Sequence, residues 1–193
     1  MIARHPVRQS GRRTLLLIVA IGLAPVIASY AAYYWFTPSK RVNYGELLEA
    51  APAPIVVGKD ADGKAFSLTG LRGKWVLLIA SRASCADDCV RALYATRQAR
   101  TIQGREQDLV VRVLLQPLTA PTLAPELAAA HPGLVAVRLD QAALEQLPLG
   151  TSAGDGVLLL DPRGNLVLRY GHDPDIRGLA GDLQRLLKAS QIG

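Results

Sequence analysis

From residue 14 to residue 39 the chain runs "TLLLIVAIGLAPVIASYAAYYWFTPS" with no charged position. The apolar stretch 15–36 would span about 33 Å as a helix at ~1.5 Å per residue, close to the roughly 30 Å hydrocarbon core of a bilayer. Tyr30, Tyr33, Tyr34 and Trp35 gather at one end, as an interfacial aromatic belt does. Pro25 lies inside the run, where a membrane helix tolerates proline better than a soluble one. Beyond this segment the pattern becomes that of a folded domain. "KRVNYGELLEAAPAPIVV" carries Pro52 and Pro54 and reads as a short stiff linker or an extended lead-in.

A hairpin follows in "GKDADGKAFSL", pairing residues 55–57 with 65–68 through a polar turn at 60–64. "WVLLIA", residues 75–80, is apolar without alternation, as a strand covered on both faces reads. A helix is predicted over about 86–104, with Asp87 and Asp88 in its first turn and Gly104 at its end. A second apolar strand, 110–115, precedes a short helix within "APTLAPELAAAHPG"; a third strand, 134–139, precedes a helical turn or two over 141–147. "GVLLLDPRGNLVLRY" predicts a second hairpin, with proline second in its Asp161 to Gly164 turn. An amphipathic helix over 175–189 closes the chain, Ile176, Leu179, Leu183, Leu186 and Leu187 sharing one face. Such alternation implies a central sheet with helices on both faces.

Charge changes the picture chiefly by its placement. The formal net charge is +6, yet Arg4, Arg8, Arg12, Arg13, Lys40 and Arg41 supply six of the 22 basic residues. The 16 basic residues after residue 41 match the 16 acidic ones there, so the folded part is formally neutral. The basic excess therefore reports topology, and a nucleic-acid partner is not expected. By the positive-inside rule, residues 1–13 form a cytoplasmic basic N-terminus and 14–36 a single transmembrane helix. Residues 37–54 then form a linker, and 55–193 a domain in the periplasm of a bacterial inner-membrane protein. Two alternatives are a cleaved signal peptide, whose apolar core is usually shorter, and a mitochondrial inner-membrane setting, in keeping with an arginine-rich N-terminus without acids.

The only cysteines, Cys85 and Cys89, fall in "SRASCADDC", the loop leading from the 75–80 strand into the following helix. Extracytoplasmic placement is oxidising, so a close pair can persist as a disulfide. A helix N-terminus stabilises thiolate, while Asp87 and Asp88 oppose that effect and imply a less reactive pair. Fully helical cysteines at this spacing would stand a turn apart, so Cys85 is expected in the loop. Three uses remain open: a redox pair, a metal-holding pair, or a structural staple. The staple would add little stability, because so short a loop has little closure entropy to remove.

The N-terminal anchor, the strand "LRGKWVLLIA", the C-x-x-x-C spacing behind it and the late hairpin together resemble the Sco/SenC family, over roughly residues 55 to 188. These are membrane-anchored thioredoxin-fold proteins that assist copper insertion into cytochrome c oxidase. The resemblance implies an α/β, thioredoxin-like domain, with a central mixed sheet and flanking helices, behind one transmembrane helix. It implies a role in oxidase assembly, with oxidase subunits or other assembly factors as partners and the membrane as site of action. Cys85 and Cys89 would act by thiol–disulfide exchange or by briefly holding Cu(I).

Departures from the family are specific. It carries proline after each cysteine, where this chain has Ala86 and Val90. Its copper-binding histidine precedes the penultimate strand; here "GTSAGDG" has Ala153 near that place and no histidine. Nor does the chain have the C-x-x-C or the proline before that strand of thioredoxin-type oxidoreductases. A thiol–disulfide oxidoreductase is therefore one reading, and a non-catalytic interaction module with a structural disulfide is the alternative. Among other candidate ligands, Met1 and His5 lie on the wrong side of the membrane. His131 reads as a helix C-terminal residue meeting the dipole, and His172 in "YGHDPD" as a loop histidine that is the first candidate for an added ligand. No H-E-x-x-H, G-x-S-x-G or phosphate-loop pattern occurs, so hydrolase and nucleotide chemistry lack support.

Overall fold

The computed structural model describes residues 10–35, 43–149 and 156–190, in two units that divide after Val42. In the first, helix α1 (Ser10–Trp35) holds the uncharged run, its Gly11–Tyr34 stretch having a mean hydropathy of 2.3 and no buried residue. Pro25 is accommodated inside it. At ~1.5 Å per residue its 26 residues reach about 39 Å, long and apolar enough to cross a membrane.

The second unit is an eight-stranded mixed sheet in the order β1-β8-β7-β4-β5-β6-β2-β3. The strands are β1 (Glu46–Pro52), β2 (Val57–Asp60), β3 (Ala65–Ser67), β4 (Trp75–Ala80), β5 (Val110–Pro117), β6 (Leu134–Leu139), β7 (Gly156–Leu160) and β8 (Asn165–Tyr170). Its centre is parallel, with β4 beside β5 and β5 beside β6; β7 joins the other side of β4 antiparallel. All six residues of β4 and all five of β7 are buried, as their unbroken apolar runs require. The helices are α2 (Asp87–Ile102), α3 (Pro125–Ala130), α4 (Gln141–Glu145) and α5 (Ile176–Ser190). Leu77, Ile79 and Leu114 face α2 and α5 through Leu93, Ala99, Leu179 and Leu183. Leu78, Val113, Leu115 and Leu158 pack on the opposite face with Leu68 and Leu144. The alternation of one strand between two cores produces both layers.

Expected elements recur with shifted limits. The first hairpin pairs Val57 with Ser67 and Lys59 with Ala65; residues 68–71 form a 3-10 turn, and Ile55 stays exposed. Helix α2 stops at Ile102, and a 3-10 turn over Gly104–Leu109 begins at Gly104, whose φ is +60°. In the late hairpin Asp161 Oδ1 accepts from the amides of Arg163 (2.9 Å) and Asn165 (2.8 Å).

The linker expected over 37–54 needs correction. Residues 46–52 form the edge strand β1, pairing antiparallel with β8 and tied by the Arg169–Glu46 ion pair at 2.7 Å. Pro52 ends the strand on the sheet's outer edge, where a proline deprives no ladder of an N–H. Residues 37–42 and the 150–155 loop, with Ala153, lie outside the described residues.

Just before β1, Asp182 of α5 gathers contacts from distant parts of the domain. It is fully buried and accepts from the Tyr44 amide (3.0 Å), the Gly45 amide (2.8 Å) and the Tyr170 hydroxyl (3.2 Å), with an ion pair to Arg185. The Tyr44 ring lies over Gly178, where a Cβ would meet it at 2.4 Å; the Tyr170 ring lies over Gly45, where a Cβ would meet it at 2.5 Å. Both rings stack, centroids 6.0 Å apart. Burial, the Asp182 charge and its hydrogen bond push the Tyr170 hydroxyl's pKa up, so the phenol stays a donor.

Candidate functional site

Strand β4 ends at Ala80, and its direction continues into Ser81, whose amide donates to the Leu115 carbonyl at 2.9 Å. Ser81 is fully buried and thereby anchors the loop to the sheet. The chain then turns through Arg82, Ala83 and Ser84 to Cys85 and enters α2 at Asp87. Cys85 and Cys89 form a disulfide with Cα atoms 5.0 Å apart. As expected, Cys85 stands in the loop and Cys89 in the helix's first turn.

The two sulfur positions are unequal. Cys89 is 2% exposed, packed in the α2/α5 core, whereas Cys85 is half-buried against the rim of that core. Access therefore favours attack by an incoming thiolate on Cys85, with Cys89 as the sulfur that would leave. The leaving sulfur lies at the third helical position, among first-turn amides that have no intrahelical acceptor. Ala86 is the N-cap and has no side-chain oxygen to compete for them.

Asp88 does not stand as an isolated charge beside the cysteines. Arg91 forms ion pairs with both Asp88 and Asp173, the latter at 3.3 Å. Asp87 is exposed at the rim. The sequence held a signal for the first of these pairs in the three-residue spacing of Asp88 and Arg91 on one helix; the link to Asp173 required the fold. Arg91 also borders an open groove of about 490 Å³ between α2 and residues 173–176. Val90 and Tyr94, 37% and 52% exposed, form its apolar wall beside Cys89.

His172 lies in the loop leaving β8, next to Asp173. Strand directions put that loop at the same end of the sheet as Cys85, since β8 runs parallel in sense to β4 across antiparallel β7. Among the described residues no cluster of three or more His, Cys, Asp or Glu side chains is arranged to hold a metal, and His172 joins none with the cysteines. Among the described residues the donors at this site are thus the two sulfurs. Reduced, they suit Cu(I), whereas Cu(II) asks for nitrogen or oxygen ligands.

His131 stands at the C-terminus of α3, as expected, but as a buried side chain. It is 4% exposed, and burial, then Arg112 and Arg97, push its pKa down, so the imidazole stays neutral and only its backbone amide, bonded to the Ala128 carbonyl, closes α3. Burial is the larger cause; Arg112, a buried β5 residue that donates to the Pro132 carbonyl at 3.0 Å, adds a like charge nearby.

Against known families, a model described as "Transmembrane-like, thioredoxin-like, C-terminal domain" matches residues 75–190, and one described as "Transmembrane-like, N-terminal domain" matches residues 5–36. Among solved structures, apo Sco1 from Thermus thermophilus is similar with a TM-score of 0.59 at 21% identity, over 79% of this chain and 99% of that one. Yeast Sco1 with copper bound gives 0.60 at 16%, over 74% and 95%. The thioredoxin domain of a thiol-disulfide oxidoreductase from Bacteroides vulgatus gives 0.55 at 15%, over 74% and 99%. At these identities the likeness is one of fold, and it bears out the thioredoxin-like fold that the resemblance implied. No curated protein matches the chain.

Proposed function

Given that the chain belongs to the transmembrane-like, thioredoxin-like family, we propose that it is a membrane-anchored thiol–disulfide exchange protein serving cytochrome c oxidase assembly at the periplasmic face of a bacterial inner membrane. The observation that carries this reading is the unequal exposure of a preformed disulfide: Cys85 reachable, Cys89 buried at the start of α2. In the reduced protein the Cys85 thiolate attacks a disulfide between copper-ligand cysteines of an oxidase subunit, forming a mixed disulfide and releasing one target thiolate. The Cys89 thiolate then attacks the Cys85 sulfur. The target leaves as a dithiol, and Cys85–Cys89 becomes the disulfide, to be re-reduced by a dithiol donor. Val90 and Tyr94, exposed on α2 after Cys89, offer the target an apolar contact. Cuprous copper, as cargo, would be held briefly between the two reduced sulfurs, and more weakly than in a three-ligand site.

Replacing Cys85 or Cys89 by serine in the full-length protein tests this directly. Assembled oxidase activity should be lost with either change, and the reduction potential of the unmodified pair should lie above about −300 mV, outside the range of structural disulfides. Normal oxidase levels with both cysteines replaced would remove the exchange and copper roles together and leave an interaction module with a structural bond.

A further inference from the structure

A second site lies on the α2 and α3 face of the sheet, over its β5/β6/β2 side. Residues 112, 114 and 116 of β5 share this face, opposite 134, 136 and 138 of β6. Leu114 there is core. Gln116 and Arg138, paired directly across the two strands, instead border a cavity of about 240 Å³ whose other walls include Leu123, Ala128, Leu134 and Ala136.

Two polar side chains of this cavity, Gln116 and Arg138, have no hydrogen-bond or ion-pair partner among the described residues. Gln116 is only 3% exposed, yet its amide makes no hydrogen bond within the described residues. Arg138, half-buried, forms no ion pair or hydrogen bond there either. The next strand adds to the anomaly, because Lys59 of β2 stands directly opposite Arg138. Like charges facing each other across a sheet repel. Of the carboxylates flanking the wall residue Ala61, Asp62 pairs with Lys64, and Asp60 accepts from the amides of Asp62 and Lys64 through one oxygen. An unpaired amide, a guanidinium and an ammonium thus form one row across three strands, beside an apolar recess.

We propose that this recess binds a small aliphatic monocarboxylate. The carboxylate accepts from the Arg138 guanidinium and the Gln116 amide, whose planar donors match its two oxygens. Its charge relieves the Lys59–Arg138 repulsion, and a tail of a few carbons fills the space among Leu123, Leu134 and the alanines. The site is separate from Cys85–Cys89 and holds whether or not thiol exchange is the protein's function.

The test is calorimetric titration of the full-length protein in nanodiscs with hexanoate, hexan-1-ol and inorganic phosphate, empty nanodiscs serving as blank. Hexanoate should bind one-to-one, and hexan-1-ol and phosphate at least about tenfold more weakly, the loss expected when a charge-assisted hydrogen bond or the apolar contact is missing. Arg138→Gln should remove the preference for acid over alcohol, Arg138→Lys should keep part of it, and Gln116→Leu should weaken hexanoate by a smaller factor. Saturation absent with hexanoate, equal binding of the alcohol or of phosphate, or unchanged hexanoate affinity in Arg138→Gln would each overturn the proposal. If Arg138→Gln does not fold, the three-ligand comparison on the unmodified protein still decides.

Discussion

Two short segments of the domain are fastened to helices, and the fastenings have little in common. At one, Cys85 is bonded covalently to Cys89 within a turn of α2. At the other, Tyr44 and Gly45 are hydrogen-bonded to Asp182, 138 and 137 residues away. The covalent link is the stronger bond and the weaker contributor to the fold, because a loop this short has little entropy to lose on closure. The noncovalent one joins the start of the folded unit to its last helix around a fully buried carboxylate, so its removal strands several buried donors at once. On the proposed function, such a separation of stability from chemistry would let the disulfide open without unfolding the domain.

The largest effect should come from Asp182→Ala, which leaves the amides of Tyr44 and Gly45 and the Tyr170 hydroxyl without their acceptor. A loss of about 3–5 kcal/mol is expected in urea unfolding, with the disulfide still exchanging in the fraction that remains folded. A loss below about 1 kcal/mol would break the comparison, making the cluster no more than a surface contact.

Next comes the steric half of the same cluster. Gly178→Ala drives a methyl group into the Tyr44 ring and should cost about 1–3 kcal/mol by overpacking. In a Tyr44→Ala background the same change should cost nothing or stabilise by up to about 1 kcal/mol, since alanine is the better helix former. Equal costs in both backgrounds would place the strain elsewhere.

Cys85→Ser and Cys89→Ser should each cost at most about 2 kcal/mol in chain entropy for a loop of this size, while abolishing exchange with a model disulfide. Unfolding of either variant at room temperature would show that the bond supports the domain and that the contrast is false.

Smallest is a pH effect centred on His131. Burial, with Arg112 and Arg97, holds its folded pKa below the unfolded value. As pH falls past about 6.5 the unfolded chain takes up a proton that the native state resists, so stability declines with acidity by at most about 1.4 kcal/mol per pH unit. The stability slope between about pH 6.5 and 5 should flatten in His131→Leu. An unchanged slope would assign the decline to other groups.

Much of this molecule was legible along the chain. The uncharged run, the unbroken apolar strands β4 and β7, the Asp161 to Gly164 turn and the cysteine spacing each act locally, through hydropathy, burial or turn geometry, so neighbouring residues suffice to read them. Strand β1 was not legible: "ELLEAAP" has no period of two, and its strand character comes from the β8 ladder. Asp182 likewise looks like a polar interruption of an amphipathic helix, because the amides that satisfy it lie more than a hundred residues earlier.

The sequence alone determined that two cysteines would meet where a buried strand enters a helix, since spacing and strand pattern are both local. Only the tertiary structure decided which sulfur faces outward, that Arg91 is shared between Asp88 and Asp173, and that Gln116, Arg138 and Lys59 form a row. Burial and register are properties of packed neighbours from separate parts of the chain, and no local pattern encodes which neighbours those are.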